Sequence, residues 1–133
     1  MDQDSDNYNF STDRSYMIVS KTFSPGSLEI TYLSYYNDTP RVYLFNIDTG
    51  RSEMLGEFDG MTFAPRFSPD GKKVIMSKAE RGNADIFAME LSTRRIQRLT
   101  THSAIDTAPS SSPFGRQIVF NTDRGGSQHI HVK

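Results

Sequence analysis

The chain has 133 residues, 35% of them apolar and 11% aromatic, which is the size and composition of one domain with a modest core. Fifteen Lys and Arg against sixteen Asp and Glu leave a net charge of -1, with no basic stretch to neutralise a row of phosphates, so nucleic acid is excluded as an expected partner. Apolar runs of only a few residues fall far short of the roughly 20 that a spanning helix needs, and the absence of cysteine removes disulfides and thiolate chemistry.

The chain opens with MDQDSDNYNF, which has neither a basic n-region nor an apolar h-region, so no export signal is expected in the sequence as it stands. Asp2, Asp4 and Asp6 alternate like the start of a calcium loop. Asn7 stands where the loop needs Gly, and position 12 of the loop is Asp13, so the segment reads as an acidic lead-in without a metal. A strand signal follows near 8–12, and another over 19–23.

From there an internal period governs the chain. Ser24-Pro25, Ser68-Pro69 and Ser112-Pro113 stand 44 residues apart, as do Ile30, Val74 and Ile118, and Val42, Ile86 and Ile130. Ala64-Pro65 and Ala108-Pro109 keep the same register without a gap. The middle copy is the most complete. It predicts strands at 64–67, 73–78, 85–91 and 96–100, separated by Ser68-Pro69-Asp70-Gly71, by Glu80-Arg81-Gly82-Asn83 and by Ser92-Thr93-Arg94. The second and third strands are apolar at successive residues instead of alternating, so both faces of the small sheet are expected to be covered. Four antiparallel strands repeated every 44 residues and apolar on both faces predict an all-β chain of β-propeller blades.

The expected organisation is a single partial propeller of about three blades. Residues 1–16 read as the outer strand of a preceding blade, 17–60 and 61–104 as blades, and 105–133 as a blade without its outer strand. The expected origin is a fragment of a longer propeller, with the alternative that two copies joined head to tail close a ring of six blades.

Pro65-Arg66-Phe67-Ser68-Pro69-Asp70-Gly71, Arg98-Leu99-Thr100, Asp106-Thr107-Ala108-Pro109 and Phe120-Asn121-Thr122-Asp123-Arg124-Gly125-Gly126 carry a resemblance. They resemble the C-terminal propeller of the TolB family, which is built of WD40-like PD40 repeats. Asp4-Ser5-Asp6-Asn7-Tyr8-Asn9 is similar to the family's lead-in. The chain departs at Gly26 and Phe114, where the turn expects Asp, and it has no segment matching the family's N-terminal α/β domain. The resemblance implies a periplasmic, non-enzymatic module without cofactor or metal, serving the Tol-Pal envelope system in cell division and protein transport. The partner it implies is the peptidoglycan-associated lipoprotein Pal. The residues before each Ala-Pro would meet that partner: Met61, Thr62, Phe63 and Ala64, then Ile105, Asp106, Thr107 and Ala108.

Other chemistry is weakly signalled. His129 and His131 share a strand face and offer half a metal site without a third ligand. Ser110, Ser111 and Ser112 lack a G-x-S-x-G frame. Asp38, Asp59, Asp85, Asp106 and Asp123 fall at turns, where carboxylates cap backbone groups. The inner strands offer no converging carboxylates for a metal-dependent lactonase. The loops expected around the channel are 36–40, 80–84 and 124–128, with 16–19, 59–63 and 103–107 between blades. The second group is apolar enough to suggest a protein-docking rim. The alternative function is the propeller of a prolyl-oligopeptidase-like serine peptidase, which shares the S-P-D-G turn.

Overall fold

The computed structural model describes residues 19–56 and 58–133, so the strand expected at 8–12 and the Asp2, Asp4 and Asp6 cluster lie outside the described residues. Three antiparallel sheets follow one another along the chain. The first is β1 (Val19–Phe23), β2 (Glu29–Tyr36), β3 (Thr39–Asn46) and β4 (Arg51–Met54) in that spatial order. The second is β5 (Met61–Phe67), β6 (Lys73–Glu80), β7 (Asn83–Glu90) and β8 (Ile96–Arg98). The third holds β9 (Asp106–Ser111), β10 (Ile118–Thr122) and β11 (His129–Val132). The chain is all-β and forms a partial propeller, each sheet a simple meander of neighbours in sequence.

The turns form for local reasons. Gly71 N donates to Ser68 O and Gly115 N to Ser112 O, both at 2.9 Å, closing the Ser-Pro turns with Pro at the second position. The hairpins closed by Tyr36 with Thr39 and by Glu80 with Asn83 leave two residues in each loop. Both residues of each loop have positive φ, Asn37 and Asp38 in one and Arg81 and Gly82 in the other, which is the turn whose twist matches the strands it joins.

Side-chain alternation sends Val74 and Met76 to one face of the second sheet and Ile75 and Ser77 to the other, so the second sheet buries one face against the first sheet and the other against the third. The first seam is Val42, Leu44 and Leu55 of the first sheet against Val74, Met76 and Met89 of the second, closed by Phe58, Phe67 and Leu91. The second seam is Ile75, Ile86 and Ala88 against Phe120, with Leu99 and Ile118 at its margin. A third cluster, Ile30, Tyr32 and Phe45, lies on the far face of the first sheet, where the Tyr32 and Tyr43 rings stack at 5.4 Å.

All three inner strands bulge at the same repeat position. The pairing slips between Val19 and Thr22 in β1, between Phe63 and Arg66 in β5, and opposite Val119 and Asn121 in β9. Ala64 and Ala108 sit in the bulges at φ 53° and 55°, each directly before a proline that has no N–H to give the ladder. The strain is held by tertiary contacts: Ala108 N, freed from the ladder, donates to Ser77 Oγ of the preceding sheet at 3.0 Å.

The inner strand of the second sheet thus begins at Met61, three residues before the expected start at 64. The period-based reading stopped at the bulge, where Ala-Pro breaks a strand pattern that resumes on its far side. Likewise Asp106 and Thr107, expected in a loop, open β9.

Candidate functional site

The β2–β3, β6–β7 and β10–β11 turns emerge at the same end of the sheets as the connections entering β5 and β9. Met61 pairs with Ala79 one residue from the end of β6, and Ile105 N donates to Asp123 Oδ1 beside the β10–β11 turn at 2.8 Å. Gly60 makes the first approach possible. Its φ is 81°, and a Cβ there would collide with the Ala79 carbonyl.

Side chains on these entries alternate sharply. Met61 and Ile105 are each 40% exposed, whereas Thr62 and Asp106 next to them are fully buried. Tyr36 on the first turn is also exposed. Of the eight residues expected to meet a partner, the structure therefore presents Met61, Ile105 and Ala108 outward, leaves Phe63, Ala64 and Thr107 half-buried, and sinks Thr62 and Asp106 into the packing.

The two buried ones fix the backbone in different ways. Thr62 Oγ1 accepts from Val42 N of the first sheet at 2.9 Å. Asp106, at the corresponding position, takes Arg124 Nη2 at 3.2 Å on Oδ1 and 3.0 Å on Oδ2. Arg124 is itself held, since Nε donates to Thr122 Oγ1 at 3.1 Å and the guanidinium lies 5.4 Å from the Phe120 ring centre. Asp85 forms a related pair with Arg98 Nη2 at 2.5 Å, while Thr100 Oγ1 accepts from Ile86 N at 2.9 Å. On the β6–β7 turn the Lys78 ammonium, 2.6 Å from Glu80, holds that carboxyl below its ordinary value, and Lys78 also lies over the Phe58 and Phe87 rings.

The carboxylates at turns thus divide. Asp123 caps a backbone N–H as turn chemistry predicts, whereas Asp85 and Asp106 are buried ion-pair members. Their arginine partners, Arg98 and Arg124, stand in the family motifs, but the sequence assigned them no role. The available signal was an opposite charge 13 and 18 residues downstream of a buried carboxylate, a spacing visible only once the strands are paired.

His131 packs against Phe120 at 5.4 Å, and its Nε2 is 3.5 Å from Arg124 Nη1, while His129 is exposed with Nδ1 3.0 Å from Ser127 O. Among the described residues no three His, Cys, Asp or Glu side chains come together as a metal site. No helix among them is long and apolar enough to cross a membrane.

Comparison with known proteins agrees with this architecture. The family described as the TolB beta propeller domain (PD40) matches residues 1–133. The Tol-Pal system protein TolB of Paramagnetospirillum magneticum is 60% identical over 63 residues, covering 47% of this chain and 14% of that protein. The Tol-Pal system protein TolB of Gluconobacter oxydans is 45% identical over 86 residues, covering 65% of this chain and 19% of its relative. The crystal structure of TolB from Acinetobacter baumannii superposes with a TM-score of 0.79 at 38% identity, over 90% of this chain and 30% of that one. The chain therefore spans less than a third of each of these relatives, and it belongs to the TolB β-propeller family.

Proposed function

We propose that the chain is a non-enzymatic, periplasmic protein-binding module of the Tol-Pal system, docking a Pal-type lipoprotein on the end of the sheets that carries Met61 and Ile105. One observation carries the reading: these two large apolar side chains, 44 residues apart in the repeat, are both held outward by buried neighbours. Apolar anchors rimmed by polar turns are the usual form of a protein-docking centre. Phe63, Ala64, Thr107 and Ala108 shape the surface around the anchors, and Thr62 and Asp106 support it from below.

Names of relatives favour this partner, since the Paramagnetospirillum magneticum and Gluconobacter oxydans relatives are both Tol-Pal system proteins. The peptidase-propeller alternative shares the Ser68-Pro69-Asp70-Gly71 turn, but its support from relatives is weaker. Titration calorimetry with a lipid-free Pal domain tests the reading. Ile105→Asp or Met61→Asp is expected to weaken binding by more than about tenfold, because each places a charge at an apolar anchor. Wild-type affinity in both variants would overturn it.

A ring of six sheets made by two copies would extend the same end, and β11 presents Ile130 and Val132, 68% and 55% exposed, toward such a neighbour. Light scattering would then give twice 15.1 kDa at every concentration, and a mass of 15.1 kDa would exclude it.

A further inference from the structure

We propose that Asp123 and Arg124 are positioning residues for the second anchor, fixing how Ile105 is presented. The proposal rests on the docking reading above and adds the residues that control one half of it.

Two consecutive residues of the β10–β11 turn grip two consecutive residues of the entry to β9. Asp123 Oδ1 accepts from Ile105 N at 2.8 Å, and Arg124 Nη2 reaches both carboxylate oxygens of Asp106. Together they set both the backbone position and the rotation of Ile105, because its own N–H is bound on one side and the next side chain is bound beneath it. Asp106 is 0% exposed and has no surface to offer a partner, so its contribution comes from inside. Arg124 is not free to swing, being held by Thr122 Oγ1, packed on Phe120 and adjacent to His131 Nε2.

A buried ion pair of this kind contributes little net stability and much geometric definition, since desolvation offsets the attraction while the paired contacts allow one arrangement. The first anchor is fixed otherwise. At the positions corresponding to Asp106 and Arg124 stand Thr62, bonded to Val42 N, and Glu80, bonded to Lys78. Met61 is thus held by its pairing with Ala79 and by Thr62 on the preceding sheet, and Ile105 by Asp123 and Arg124, so the two can be loosened separately.

The test uses the full 133-residue chain with lipid-free Pal domain as probe. Asp123→Ala removes the acceptor for Ile105 N without orphaning a buried charge, and Arg124→Lys keeps the charge while losing the contact to Thr122. Amide exchange of Ile105 should quicken about tenfold or more in Asp123→Ala, with the Leu55 and Leu99 amides, bonded to Val42 O and Ile86 O, unchanged. Dissociation of Pal should quicken about threefold to tenfold in the same variant, with the urea midpoint unmoved, and Arg124→Lys should fall between wild type and Arg124→Ala. Wild-type exchange at Ile105 in Asp123→Ala overturns the proposal. So does wild-type dissociation in Asp123→Ala and Arg124→Lys when Ile105→Asp abolishes binding, an outcome that leaves the docking reading standing. Intact binding in Ile105→Asp removes the docking reading and the positioning role with it.

Discussion

The first and second seams occupy the same repeat positions and are filled with different chemistry. The first buries six apolar side chains drawn evenly from both sheets, three from each. The second buries four, and Phe120 is the single one that the third sheet contributes. Where the first seam has Phe67 and Met89, the second has Ser111 and Lys133, whose Nζ donates to Leu99 O at 2.8 Å. A groove of about 700 Å³, lined by Ile75, Ala88, Leu99 and Ile118 among others, runs along the second seam. Polar bonds cross both seams: Thr62 with Val42 N and Arg94 with Glu53 at the first, Ser77 with Ala108 N at the second. One repeat therefore supports either a dispersed apolar seam or one concentrated on a single ring, and the second kind should fail at one residue.

Phe120→Ala is the sharpest way to break that contrast. Its ring is 1% exposed and meets Ile75, Ile86 and Ala88, with the half-buried Ile118 at the seam's margin as the other large apolar residue its own sheet adds to the cluster. The expected cost is about 3–5 kcal/mol by urea unfolding, and exchange should show β9–β11 opening while the first seam stays protected. Leu55→Ala, as deeply buried in the first seam, should cost about 2–4 kcal/mol and produce no selective opening, since five other side chains there hold both sheets. Equal, cooperative loss in both variants would show that the seams are energetically one unit.

Much of this architecture was legible in the sequence because the repeat is ungapped: period, strand count and Ser-Pro turns follow from matching residues at a fixed offset. The inner-strand starts were not, because the bulge at Ala64 and Ala108 interrupts the alternation that marks a strand. The site was half legible. Residues before Ala-Pro were identified, but which point outward depends on a pleat that the bulge resets, so Thr62 and Asp106 could not be separated from Met61 and Ile105. The roles of Arg98 and Arg124 were hidden for another reason, since their partners come from a different strand.

A second substitution sharpens the comparison in the opposite direction. Ser111→Phe places in the second seam the ring that Phe67 gives the first, against Ile75 and Leu99 in the groove lining. Filling the groove should raise stability by about 0.5–2 kcal/mol and reduce the penalty of Phe120→Ala when the two are combined. Strict additivity in the double variant would mean that the new ring does not enter the seam.

The smallest effect tests the turns that face each other across that groove. In the second sheet Asp70 Oδ1 accepts from Lys72 N at 2.9 Å and from Ser68 Oγ at 2.7 Å, which holds its carboxyl below the ordinary value of 3.8. The third sheet has Phe114 at that position, 88% exposed, and its Ser112 Oγ keeps only the bond from Gln117 N. Because the folded carboxyl releases its proton more readily than the unfolded one, the unfolded chain binds more protons near pH 3–4 and stability rises with pH there. The contribution is fully present above 3.8 and is lost as pH falls through the lower folded value. Asp70 is exposed, so solvent screening limits it to a few tenths of a kcal/mol. Asp70→Asn should therefore be slightly less stable than wild type at pH 7 and indistinguishable from it near pH 2, by urea midpoints at both. A gap that persists at the acid end would assign Asp70 to backbone geometry alone, and the charge of its turn would then play no part in how the second seam is edged.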